Sequence, residues 1–229
     1  MTNQPLSTVG LVMPGDFPVL PYEGIHRRVT AKKQAYPNAW AQYAGAWNAV
    51  AYRFLSCADH DKAFTESVRR FGDAPLQPER YAQERELFGF FVTGLATIES
   101  FCYGLYAIAS MVDSRNFPLV TQKDMRSVNR ESTTKRFKRT FPSDNITHVL
   151  DQTVSTQEFK DWKEIRNILA HRSAPPRHFF ASTAGKARAA LWLNGIQIDE
   201  NITASWRKWL ATTMSVLLEA TDDFTARHP

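Results

Sequence analysis

The chain has 229 residues, enough for one large domain or two small ones with a real hydrophobic core. Its composition, 43% hydrophobic, 12% aromatic and 22% charged, is that of a globular protein rather than of a disordered chain. The net charge of +5 and the isoelectric point near 9.3 favour a polyanionic partner such as nucleic acid, but only weakly, because many basic proteins bind none.

Cysteine usage and the first residues indicate the compartment. Cys57 and Cys102 each lie among apolar neighbours of a predicted helix, so we expect two buried, reduced thiols in a cytoplasmic protein, with a disulfide as the alternative. Residues 1–5 lack the charged start and apolar run of a secretory signal, which agrees with a cytoplasmic location.

Residues 1–36 contain several prolines and glycines and end in a basic stretch. We expect an irregular N-terminal arm here, with the helical domain occupying residues 37–229. Within that domain, apolar residues at three- and four-residue steps predict a helix over residues 37–70, among them Trp40, Tyr43, Trp47, Val50 and Phe54. After a turn-rich break, a second long helix is predicted over residues 78–112, and the two should pack as an antiparallel pair.

The second long helix is apolar enough that it could be a transmembrane helix. Residues 87–112 carry one charge, Glu99, and are long enough to span a bilayer. A charge near the middle of a span costs about 2.5–3.5 kcal/mol on insertion scales, so we favour a buried core helix and no membrane partner. A lone acid in such a helix must find a partner. The candidates for Glu99 are Arg166 or His171, which it would support, or a hydroxyl group.

Residues 123–139 are polar and rich in positive charge, and they predict a third helix, alone or with loops. A solvated face is one interpretation of this stretch, and a surface that contacts RNA phosphates is the other. The second interpretation makes candidate RNA contacts of Arg126, Arg130, Lys135, Arg136, Lys138 and Arg139. Asp144 is expected to cap a short helix that follows.

The last third of the chain predicts a helix, a hairpin and a closing helix. The first helix begins near residue 155, and its apolar stripe includes Phe159, Trp162 and Ile165. Residues 189–193 and 196–198 flank Asn194-Gly195 and predict a β-hairpin with a type I′ turn. Asp199 can cap the final helix. The predicted fold class is therefore an all-α bundle with a small β-hairpin before the last helix.

Common catalytic and metal-binding patterns do not occur in the sequence. Asp59-His60-Asp61 groups three possible ligands, but adjacent residues of a helix point to different sides, and the two cysteines lack zinc-ligand spacing. The phosphate-binding G-x-x-x-x-G-K-[ST], the dinucleotide-binding G-x-G-x-x-G, H-E-x-x-H and G-x-S-x-G are absent. We therefore expect neither a metal nor a cofactor.

One helix end concentrates chemically useful side chains. Arg166, Asn167 and His171 lie in the last turns of the helix, and Arg172 follows before Pro175-Pro176 stops it. Histidine can transfer protons near neutral pH, and arginine can bind a phosphate through two parallel hydrogen bonds. Asn167 is four residues from His171 and so shares its face. The alternative is structural, with the basic side chains bonding to terminal carbonyl groups.

Arg166-Asn167-Ile168-Leu169-Ala170-His171 resembles the R-x(4–6)-H motif of the HEPN superfamily, all-α domains named for higher eukaryotes and prokaryotes nucleotide-binding. Members typically have a polar residue after the arginine, and Asn167 matches. The bare pattern also occurs at residues 53–60, where Phe54 follows the arginine, and at residues 172–178, where prolines interrupt it. The resemblance covers residues 37–227 loosely and the six-residue motif closely.

The resemblance implies a metal-independent endoribonuclease in which a ribose 2′-hydroxyl attacks its own phosphate. Arg166 would stabilise the phosphorane, His171 would transfer a proton, and Asn167 would orient the ring or bind phosphate. Five residues on an ideal helix separate Arg166 from His171 by roughly 140°. The family meets this geometry with a composite site at a homodimer interface.

The resemblance further implies a toxin–antitoxin or defence system, with a cognate antitoxin or other regulatory protein as a possible partner. The alternative is a non-catalytic HEPN-like module that binds RNA, a nucleotide or a protein, with Arg172 and the basic stretch at residues 123–139 among its contacts.

Overall fold

The computed structural model describes residues 10–171, 177–180, 188–193 and 196–228. Within these ranges the chain is predominantly helical, so the all-α prediction is confirmed. The helices are α1 Val19–Ala31, α2 Pro37–Phe71, α3 Gln77–Val112, α4 Gln122–Ser127, α5 Arg130–Thr140, α6 Asn145–Ser155, α7 Gln157–His171 and α8 Glu200–Arg227. The basic stretch is therefore two helices, because Thr121 and Asn129 each begin one with a reciprocal capping box.

The described residues between α7 and α8 include three short strands. They are β1 Arg177–Phe180, β2 Arg188–Leu193 and β3 Ile196–Ile198, in the order β1-β2-β3. The predicted antiparallel pairing of residues 189–193 with 196–198 is confirmed, with Leu191 opposite Ile198. The predicted turn at Asn194-Gly195 lies outside the described residues. The sequence did not predict strand β1. It pairs antiparallel with β2, and Arg177 lies opposite Leu191 in the register.

The prediction of an irregular arm over residues 1–36 is wrong for residues 19–31, which form α1. Proline at residue 21 falls in the first helical turn, where a missing N–H group costs little. Tyr22, Ile25 and Val29 are buried at three- and four-residue spacing. Tyr22 stacks on Trp47 of α2, its hydroxyl donates to the Trp47 carbonyl at 2.9 Å, and Trp47 Nε1 donates back to the Tyr22 carbonyl at 3.2 Å.

The chain divides into two compact units. The first contains residues 1–53, 96–156 and 211–229, and the second contains residues 54–95 and 157–210. Helices α2, α3 and α8 contribute segments to both. The assignment of residues 37–229 to one domain stays a prediction.

In the first unit α2 and α3 run antiparallel. The Tyr103 hydroxyl donates to Gln42 at 2.9 Å, and Arg53 donates to the Ala96 carbonyl at 3.2 Å, so positions rise along α2 as they fall along α3. A group of four aromatic rings joins the segment after α3 to the end of α5 and to α8. Neighbouring ring centroids are 5.1–5.8 Å apart, and the rings are Phe117, Phe137, Phe141 and Phe224.

In the second unit the same antiparallel order continues between α2 and α3. The Cys57 thiol donates to the Phe90 carbonyl at 3.6 Å, and His60 Nδ1 lies 2.7 Å from Glu86 Oε2. The predicted long antiparallel pair is thus confirmed within each unit. Arg177 of β1 is bound at the end of this pair, where it donates to Glu84 at 3.2 Å and to the Asp73 carbonyl at 2.9 Å.

Among the described residues, α3 is the helix whose length and composition would allow it to cross a membrane. Its most apolar 18-residue window has a mean hydropathy of 1.4, and 78% of that window is buried inside the protein. This burial supports the core-helix interpretation, because a helix packed by its own chain on most sides has little apolar surface left for lipid.

Cys57 and Cys102 are both buried thiols outside any disulfide, as predicted. Burial raises the pKa of the Cys102 thiol to about 12, and the nearby Arg130 charge opposes this shift. Because the thiolate is the reactive form, we predict that neither cysteine reacts with a disulfide reagent at pH 8 in the folded protein, and that both react after unfolding in guanidinium. Rapid labelling of the native chain would contradict this burial.

A glycine of α3 is the contact point for Trp162 of α7. A Cβ added at Gly94 would collide with the indole ring, whereas a Cβ at Gly45 of α2 would meet nothing within 4 Å. We predict that Gly94→Ala lowers the free energy of unfolding by about 1–3 kcal/mol, because the ring must shift. The matched control Gly45→Ala should raise it by about 0.5–1 kcal/mol, the ordinary gain of alanine in a helix. Chemical denaturation followed by circular dichroism tests both, and equal effects would refute the steric contact.

Candidate functional site

The helix that carries the motif is fixed by its apolar stripe. Phe159, Trp162 and Ile165 of α7 are buried, as the sequence predicted. Trp162 stacks on Phe90 with ring centroids 5.2 Å apart, and its Nε1 donates to the Phe91 carbonyl at 2.9 Å. This buried hydrogen bond sets the rotation of α7 about its own axis. The positions of the motif side chains follow from that rotation.

Arg166 and Asn167 are half-buried beside the stripe, and His171 is exposed as the last residue of α7. Asn167 and His171 are one helical turn apart and share a face. Arg166 and His171 differ by roughly 140° around the helix and by about 7.5 Å along it. The helix therefore brings Asn167 and His171 together but separates Arg166 from His171 within one chain. Arg172, the remaining candidate of this segment, lies outside the described residues.

Glu99 has a partner that the sequence did not predict. Its Oε1 accepts a hydrogen bond from Arg130 Nη1 at 2.7 Å, and Arg130 also lies 3.0 Å from Glu131. The Glu99 side chain is 37% exposed, whereas that of Arg130 is only 9% exposed. Glu99 is thus not an isolated acid in the core. Its supporting role toward the motif stays a prediction, and the motif and Glu99 belong to different units.

The basic stretch is less uniform than the sequence suggested. Arg130 is buried in an ion pair with Glu99, and its role as an RNA contact stays a prediction. Lys138 is exposed but pairs with Asp151 at 2.7 Å, and Arg126 is exposed on α4. The remaining three cations, with one hydroxyl residue, line a cavity of about 350 Å³: Ser132, Lys135, Arg136 and Arg139.

A second cavity of about 570 Å³ lies in the first unit, against α2, α3 and the start of α5. Arg53 lies at its wall and donates to Ser100 Oγ as well as to the Ala96 carbonyl. Gln42 and Tyr103, joined by their hydrogen bond, and the Glu99–Arg130 ion pair complete its polar lining. Sequence reasoning missed this cleft because its residues come from three separate segments without a shared motif.

Within the described ranges, no group of three histidine, cysteine, aspartate or glutamate residues is arranged to hold a metal ion. His60 of the Asp59-His60-Asp61 run pairs with Glu86 instead. Burial raises the pKa of Asp61, while its hydrogen bond with Thr203 and the charge of Arg207 oppose the shift.

No protein-family model, curated protein or solved structure matches this chain.

The Glu99–Arg130 ion pair gives a testable energetic expectation. We predict that Glu99→Gln lowers the free energy of unfolding by about 1–3 kcal/mol, because it removes a carboxylate that accompanies a buried guanidinium. Lys138→Gln, which breaks the exposed pair with Asp151, should cost less than about 1 kcal/mol. In a double-mutant cycle measured by urea denaturation, Glu99→Gln and Arg130→Gln should be non-additive. Strict additivity would show that the pair contributes no coupling.

Proposed function

We propose that this protein is a HEPN-like, metal-independent endoribonuclease whose site is composed of Arg166, Asn167 and His171. The observation that carries the proposal is their placement on one continuous helix, with the histidine exposed on its last turn and the arginine and asparagine beside a buried stripe. The anchoring of that helix through Trp162 supports a site on a rigid element, as catalysis requires.

The proposed reaction is a transfer within the RNA. The ribose 2′-oxygen loses its proton and attacks the adjacent phosphorus, the bond from phosphorus to the 5′-oxygen breaks, and that oxygen takes up a proton. The products are a 2′,3′-cyclic phosphate and a 5′-hydroxyl end. His171 accepts or donates the proton, Arg166 stabilises the charge of the phosphorane oxygens, and Asn167 orients the imidazole or binds a phosphate oxygen.

The proposal includes a homodimer. Because Arg166 and His171 lie about 140° apart on α7, a single helix cannot aim both at one phosphate without long side-chain detours. A second copy of the chain supplies the missing group if the two α7 helices meet at a two-fold axis. A cytoplasmic toxin–antitoxin or defence role, with a cognate antitoxin or regulatory partner, belongs to the same proposal and comes from the resemblance.

The experiment is cleavage of a fluorescent single-stranded RNA in EDTA by purified protein. We predict that His171→Ala lowers the rate by about 10²–10⁴-fold, since it removes the proton-transferring group. Arg166→Ala should lower it by about 10²–10³-fold through lost charge stabilisation. The matched control is His148→Ala, an exposed histidine of α6, which should cleave like the wild type. RNA with 2′-methoxy groups should resist, because the attacking hydroxyl is missing.

Equal cleavage by the wild type and His171→Ala would contradict the proposal, provided that circular dichroism shows both chains folded. Mixing the inactive Arg166→Ala and His171→Ala chains tests the homodimer. A mixed dimer holds one intact arginine and one intact histidine on opposite chains, so part of the activity should return. RNA binding by the wild type without cleavage would instead identify the non-catalytic HEPN-like module.

A further inference from the structure

One face of α5 carries a set of cations that the rest of the basic stretch does not share. Ser132, Lys135, Arg136 and Arg139 follow a spacing of three, one and three residues, which places them on the same side of the helix. They line the cavity of about 350 Å³, and no acidic residue among those that the structure describes lines it. We refer to Lys135, Arg136 and Arg139 as the α5 cation cluster.

The two arginines of this cluster are held in place by a neutral residue. Arg136 Nη1 donates to the Asn116 carbonyl, and Arg139 Nη2 donates to Asn116 Oδ1 at 3.0 Å. Asn116 is itself fixed, because its backbone N–H and its side-chain amide donate to the two carboxylate oxygens of Asp113 at 3.0 and 2.7 Å. The guanidinium groups are thus positioned without being neutralised. A preorganised cation loses less entropy when an anion binds.

The surroundings of the α5 cation cluster leave its charge largely uncompensated. Lys135 is exposed and forms no ion pair with the part of the chain that the structure describes. The carboxylate of Asp124 interacts with the charge of Arg136 but forms no ion pair with it among the described residues, and its Oδ2 accepts hydrogen bonds from the backbone and hydroxyl of Thr121 in the capping box of α4. Lys138, three residues after Lys135 and at the edge of this face of α5, is paired with Asp151.

Ser132 bounds the cavity but has a structural task. Its hydroxyl donates to the carbonyls of Ser127 and Asn129 at 3.0 Å each, and it completes the capping box that begins α5. A ligand bound in this cavity would therefore interact with the three cations rather than with the Ser132 hydroxyl. Lys135 and Arg139 are about 6 Å apart along the helix, so the three charges act as one compact cluster.

We propose that the α5 cation cluster binds the phosphodiester backbone of RNA, and that Arg130 and Lys138 do not contribute. Fixed guanidinium forks match phosphate oxygens through paired hydrogen bonds, and a lysine adds a mobile point charge. The identity of the polyanion as RNA rests on the proposed function, whereas the division of the basic stretch into contacting and non-contacting residues rests on the ion pairs.

The test measures binding of a fully 2′-O-methylated single-stranded RNA, which resists cleavage, by fluorescence anisotropy at several sodium chloride concentrations. For the double variant Lys135→Gln/Arg139→Gln, we expect the slope of log Kd against log salt to fall by about 1.4, or about 0.7 for each lost phosphate contact. Lys138→Gln on the same helix should keep the wild-type slope. Arg136 is left intact because its guanidinium packs 5.7 Å from the Tyr106 ring centroid and its loss would disturb the fold.

An unchanged slope in the double variant would overturn the inference, as would a loss of slope in Lys138→Gln equal to one contact. Competition by polyglutamate as strong as competition by RNA would also overturn it, by assigning the cluster to an acidic protein. The outcome is separable from that of the nuclease proposal. A wild type that binds with the expected slope but cleaves nothing supports the α5 cation cluster and refutes catalysis by Arg166 and His171.

Discussion

Tryptophan rings lie directly against glycine residues of α3, and much of the fold depends on this contact. In the first unit Trp47 packs against Gly104, with ring atoms 3.1 and 3.6 Å from the position of a Cβ. In the second unit Trp162 occupies the corresponding space at Gly94. A side chain at either glycine would displace an indole. The glycines that dilute the apolar segment of α3 in the sequence are therefore sites of close approach by side chains of other helices.

Each of these tryptophans fixes a helix against a neighbouring helix through hydrogen bonds. Trp47 holds α1 through the reciprocal hydrogen bonds with Tyr22, and Trp162 holds α7 through the Phe91 carbonyl. Buried indole N–H groups need an acceptor, so each ring has both a steric and a polar reason for one orientation. In α7 this orientation decides which side chains remain outside the core. Arg166 and Asn167 stay half-buried and His171 stays exposed because Trp162 and Ile165 take the buried side.

The sequence predicted the long helices, the β2–β3 pairing and the stripe of α7 because these depend on local periodicity and turn residues. The sequence did not predict contacts between side chains that are far apart along the chain. The sequence predicts Asp144 as the cap of α6, and Asp144 is its N-cap residue, but its side chain makes no cap bond and pairs with Arg227 at 2.6 Å, more than 80 positions later. Likewise, the position of Arg130 opposite Glu99 follows from how α5 lies on α3. Helix α1 was missed because the prolines at and before its start obscured three correctly spaced apolar residues.

The same distinction applies to the candidate site. The sequence predicts both the order Arg166, Asn167, His171 and the helix that carries these residues. The angle between the arginine and the histidine around that helix is set by helical geometry, and no side-chain substitution can alter it. A six-residue motif that ends a helix therefore gives each chain two faces, one with Arg166 and one with Asn167 and His171. Convergence on a single phosphate then requires either that Arg166 extends around the helix or that a second α7 approaches from the opposite side. Under the proposed function, the second arrangement would make activity depend on assembly of two chains rather than on the folding of one chain.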